Sequence, residues 1–133
     1  MQGGEVHISN AGKAFRPGLD QIPGSCKDYY TIDGWVHHQN GADTWMISSR
    51  DAALMVFEEP SQPRRRIDNP TNCHRMFCQV FDNIWDTNFN ANAFGVMEFS
   101  FDIVSGVSLE ACDQTALALA TDPVVIVRTG FPE

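Results

Sequence analysis

Alternation with a period of two dominates the pattern of apolar and polar positions along this chain. The clearest case is VMEFSFDIV. Met97, Phe99, Phe101 and Ile103 fall on one side, and Glu98, Ser100 and Asp102 on the other. Alternation of this kind predicts a half-buried antiparallel strand with its polar face outward. YYTIDGWVHHQ reads similarly, with Tyr30, Ile32 and Val36 on one side and Trp35 on the other, so that both faces are covered there. Asn40-Gly41 separates it from ADTWMIS and is the strongest two-residue hairpin signal, because both positions accept positive φ. ALMVFE, RMFCQVF and VVIVRTG are short apolar runs of strand length, the last opened by Asp122-Pro123.

One segment has a different period. In SLEACDQTALALATDP, Leu109, Cys112, Ala116 and Leu119 recur at helical spacing. Ser108 stands as N-cap, Glu110 in the first turn, and Pro123 as the stop, which predicts a short helix over 108–120. Residues 10–27 are rich in glycine and proline and read as an irregular, ordered loop pinned by Phe15, Leu19 and Ile22. No internal repeat is visible. The fold class expected is mostly β: an antiparallel sandwich, supersandwich-like, with one short α-helix.

Length and charge narrow the function classes. At 133 residues the chain fits one domain, and its apolar content of 43% is that of a globular core. The net charge of −8 repels phosphate backbones, which argues against nucleic acid as a partner. Arg64, Arg65 and Arg66, bracketed by prolines, read as a solvated loop. No run approaches the ~18 apolar residues of a membrane helix. The first ten residues carry no apolar signal region, so the expected location is cytoplasmic.

The reactive residue types form no recognisable constellation. Cys73 and Cys78 flank HRMF, which reads as extended and would separate their Cα atoms by roughly 16 Å, too far for a disulfide. Their spacing also lies outside the usual zinc pairs, so the four cysteines (Cys26, Cys73, Cys78, Cys112) are expected to be buried, reduced thiols. His37 and His38 are adjacent and on a strand point to opposite faces. Asp33, Glu58, Glu59 and Glu98 read as solvated acids.

Three blocks, FRPGLDQIPGSCKDYYTIDGWV, SSRDAALMVFEEP and NIWDTNFNANAFGVMEFSFDI, occur in that order. Together they resemble the C-terminal β-sandwich region of bacterial-type glycoside hydrolase family 38 α-mannosidases. The blocks span about 15–103. Their most specific parts are Asp20-Gln21-x-Pro23-Gly24-Ser25 and Trp85-x-Thr87-Asn88. Family members often carry proline where Ala53 stands, and an aromatic-Arg-aromatic strand where FSFDI stands.

The resemblance implies a fragment of a larger multidomain hydrolase of carbohydrate metabolism. Its zinc and aspartate nucleophile would belong to a catalytic domain with a His-x-Asp motif, which this sequence lacks. A retaining glycosidase needs two carboxyl groups about 5 Å apart, and no such pair is recognisable in the sequence. The chain alone is therefore expected to be non-catalytic, with no cofactor or metal of its own. Its partner would be the parent's catalytic domain, with mannosides as ligands of the shared cleft. An excised sandwich would also expose an unpaired edge or apolar patch, through which it could dimerise.

The candidate carbohydrate-binding or domain-interface residues are Trp85, Asp86, Thr87, Asn88, Asp20 and Gln21. The indole of Trp85 could stack on a pyranose while Asp86 and Asn88 bind its hydroxyls, or the four could form a turn into the next strand. Two other readings stand beside the accessory domain. One is a free-standing carbohydrate-binding module, for which two of Trp35, Trp45 and Trp85 would have to lie open on a concave face. The other is a small non-catalytic interaction domain.

Overall fold

The computed structural model describes residues 4–60, 70–81 and 94–123. Eight strands precede a short helix: β1 (Glu5–Asn10), β2 (Lys13–Phe15), β3 (Tyr30–Thr31), β4 (Trp35–Asn40), β5 (Asp43–Ser48), β6 (Leu54–Phe57), β7 (Met76–Cys78), β8 (Asp102–Ser105) and α1 (Cys112–Ala120). They form a five-stranded sheet in the order β2-β1-β4-β5-β8 and a three-stranded sheet in the order β3-β6-β7, both antiparallel. The fold is mostly β, as the alternation predicts.

The large sheet is covered on both faces. On one face Val6, Ile8 and Val36 meet Tyr30, Ile32, Met55 and Phe57 from the small-sheet side. Tyr30 and Phe57 meet edge to face with ring centroids 5.2 Å apart. On the opposite face Trp35 and Met46 pack against Val107, Cys112 and Ala116. The helical spacing of Leu109, Cys112, Ala116 and Leu119 explains this second core: Cys112 and Ala116 are buried, and Leu109 and Leu119 flank them. Trp35, 2% exposed, ties α1 down by donating its indole N–H to Asp113 Oδ1 at 2.7 Å.

Local chemistry sets the boundaries. The run 29–39 is two strands in different sheets, not one. Gly34, at φ +123°, breaks it where a side chain would be strained. The crossing is stitched to β1: Asp33 N–H donates to Ser9 O at 2.9 Å and Asn10 Nδ2 to Thr31 O at 2.6 Å. The β4–β5 hairpin is present, with Asn40 paired to Asp43, so the turn centres on Gly41-Ala42, one residue later than expected. A 3₁₀ turn (Leu109–Ala111) precedes α1, and the Ser108 side chain makes no capping bond.

Three further expectations are corrected. The first part of the glycine-rich stretch is a hairpin, with β2 pairing β1 across Ala11-Gly12. Only Phe15 of its supposed pins reaches the core; Leu19 and Ile22 are 67% and 80% exposed. In VMEFSFDIV the strand is limited to β8, and its inward residue is Val104, set opposite Met46 by the β5–β8 register. Ile103 consequently shares the face of Ile47 and Val36 at the sheet's edge, and is 74% exposed. Cys26 is exposed and Cys73 lies in a turn; all four cysteines are free, and Cys112 alone is buried. The VVIVRTG run and the Arg64–Arg66 cluster lie outside the described residues.

Candidate functional site

Of the sequence-derived candidates, Asp20 and Gln21 can be placed; Trp85, Asp86, Thr87 and Asn88 lie outside the described residues. Both placed side chains turn back on their own loop. The Asp20 carboxylate accepts from Arg16 Nη2 at 2.7 Å, from Arg16 Nε at 3.0 Å and from the Arg16 backbone N–H at 2.8 Å. Arg16 also donates to Glu5 Oε1 at 3.0 Å, linking the loop to β1. The Arg16 side-chain and backbone hydrogen bonds hold the Asp20 carboxyl down at about 2, and the two acids raise the Arg16 guanidinium further above its ordinary value. Gln21 accepts from Gly18 N–H at 3.0 Å and donates to Cys26 O at 3.0 Å, bridging the loop's two ends.

This loop walls a groove of about 810 Å³ between the β1–β4 end of the large sheet and residues 70–74. Glu5, Arg16, Gln39, Thr71, Cys73 and His74 give it its polar lining. Thr71 is fixed from below, donating both its backbone N–H and its hydroxyl to Glu58 at 2.8 Å. Burial, with the nearby Glu58 charge, pushes the Cys73 thiol up to about 11. At neutral pH it stays protonated and is no resting nucleophile. The groove therefore presents a closed ion pair, a protonated thiol, and amide and hydroxyl groups beside His74.

At the groove wall His38 Nε2 lies 2.9 Å from His74 Nδ1. Trp45 stacks on the His38 ring with centroids 4.9 Å apart. Burial lowers the His38 pKa, and His74 and His37 lower it further. His37 points to the other face, as adjacency on a strand dictates, with its Nε2 3.0 Å from Val107 O. No sequence spacing announces the His38–His74 pair. The partners are 36 residues apart and belong to elements joined only by the sandwich.

Two of the three tryptophans can be assessed as a sugar platform. Trp35 is buried, and Trp45 is half-buried with one ring face covered by His38. A second cleft of about 350 Å³ beside α1 is lined by Asp33, Ser48, Ser49, Arg50 and Asp113. Its polar groups are spent internally: Ser48 donates to Gly34 O, Asp33 accepts from Gly12 N–H, and Arg50 donates to Leu119 O. Among the described residues no three His, Cys, Asp or Glu side chains converge as a metal site would require, and no helix is long and apolar enough to cross a membrane.

No family model matches the chain, and neither a curated protein nor a solved structure matches it.

Proposed function

We propose that this chain is a non-catalytic accessory β-sandwich domain of an α-mannosidase-like glycoside hydrolase. It docks on a catalytic domain, which supplies the zinc, and shapes the edge of its sugar cleft. The observation that carries this reading is the apolar run leading into β8. Phe94, Val96, Met97, Phe101 and Ile103 all lie at the surface, Phe94 and Val96 more than nine-tenths exposed. β8 is also the edge of the large sheet among the described residues. Apolar surface concentrated along a strand edge is what a partner covers. The Asp20–Gln21 loop adds support, because its polar groups stiffen a wall and leave the carboxylate engaged by Arg16. The sequence blocks that resemble family 38 point to the identity of the partner.

The test is binding to the catalytic fragment of a family 38 α-mannosidase from which the C-terminal sandwich has been deleted. A complex that raises aryl α-mannoside hydrolysis and is lost in Ile103→Asp is expected. Hydrolysis by the chain alone, or the same complex formed by Ile103→Asp, contradicts the proposal. Self-association abolished by Ile103→Asp, without binding to the fragment, would assign the edge to a second copy of this chain.

A further inference from the structure

We propose that the His38–His74 contact is an acid-released latch that holds residues 70–75 against β4 and thereby sets the width of the groove. His38 Nδ1 is buried and has no hydrogen-bond partner among the described residues. A proton there would be a buried donor without an acceptor, so the ring carries its proton on Nε2 and gives it to His74 Nδ1 at 2.9 Å. The contact thus needs a bare His74 Nδ1.

A first added proton already defeats the arrangement. If it goes to His74 Nδ1, two N–H groups face each other unless His38 moves its own proton to the buried Nδ1. If it goes to His38, that same buried nitrogen receives it. Neither form is satisfied, and stacking on Trp45 fixes the plane of the His38 ring. The groups around the pair do not rescue it. Trp45 from β5 and Val6 from β1 are uncharged, and His37 on β4 only adds like charge. Glu5 is taken by Arg16, Asp20 is also taken by Arg16, and Arg75 lies over the Phe77 ring, 5.9 Å from its centroid.

Release is local. Residues 70–75 are otherwise held by the Thr71–Glu58 bonds, by the Cys73 thiol against Pro17 O, and by the bond from Glu58 N–H to Arg75 O. The apolar core between the sheets does not depend on the pair. Acid should therefore widen the groove without unfolding the sandwich.

The test is hydrogen exchange of the 70–75 amides, corrected for intrinsic rate, between pH 8 and 5. His74→Gln is the key variant: it sits at an exposed position and supplies an acceptor that does not titrate. Protection of 70–75 in the wild type is expected to fall at least threefold between pH 8 and pH 5, while β4–β5 amides hold. His74→Gln should keep its protection throughout, and His74→Ala should show the reduced protection at every pH. An identical pH profile in wild type and His74→Gln overturns the proposal. Nitrogen shifts placing the neutral His38 proton on Nδ1 would overturn it equally.

Discussion

Asp20→Asn separates a scaffolding carboxylate from a ligand-reading one. In the folded protein the Arg16 fork and the Arg16 backbone N–H keep this carboxyl at about 2, against an ordinary 3.8. Its stabilisation is therefore complete above about pH 4 and is lost as pH falls toward 2, where the folded carboxyl also takes up a proton. A shift of nearly two units corresponds to a ceiling of roughly 2.4 kcal/mol. The side chain is 35% exposed, so solvent screening reduces this to about 1 kcal/mol. Asn keeps one acceptor for the backbone N–H but loses the charge-assisted fork. Urea denaturation followed by tryptophan fluorescence should show a loss of about 1 kcal/mol at pH 7, equivalent to a fall of roughly 4 °C in Tm. The deficit should shrink at pH 3, and a double-mutant cycle with Arg16→Gln should show that the two substitutions are not additive. Equal stability of variant and wild type at pH 7, or a deficit that ignores pH, would refute the scaffolding role.

Other parts of the fold can be probed in the same way. Trp35→Phe removes the bond to Asp113 while keeping most of the ring, and should cost about 1–2 kcal/mol in urea; Trp35→Ala opens the helix-side core at about 3–5 kcal/mol. Ala11 sits at φ 51° beside Gly12 at φ 72°, a type I′ turn that alanine tolerates poorly, so Ala11→Gly should raise stability by about 0.5–1 kcal/mol in the same assay. Burial, with the Asp113 and Glu110 charges adding to it, holds the Cys112 thiol up at about 11, whereas Cys26 is exposed. A maleimide at pH 7 should therefore label Cys26 within minutes and Cys112 only on unfolding, as peptide mapping would record.

Residue periodicity carries most of the architecture. Tyr30, Ile32 and Val36 enter one core and Trp35 the other, as alternation across two covered faces requires. The helix register is right because its apolar stripe meets a real second core. Legibility ends where a decision is not local. Asn10-Ala11-Gly12-Lys13 hides a hairpin because alanine occupies a position that usually signals itself with asparagine or glycine. The two faces of β8 are equally regular in sequence, and only pairing with β5 decides that Val104 goes inward and Ile103 outward. The groove and its histidine pair come from chain crossings that no short spacing encodes. Asp20 and Gln21 are legible as special but not as self-satisfied, because their partners Arg16, Gly18 and Cys26 become visible only when the loop closes.

The proposed accessory role requires that the domain neither read nor cleave sugar by itself. Its most direct test is a titration of the purified chain with mannose and short α-mannosides, following tryptophan fluorescence, with Trp85→Ala alongside. Trp35 is sealed in the core and Trp45 lies under His38, so the expected result is no saturable response up to tens of millimolar, with the fold intact by circular dichroism. Saturable quenching that disappears in Trp85→Ala would contradict the account and make the chain a carbohydrate-binding module.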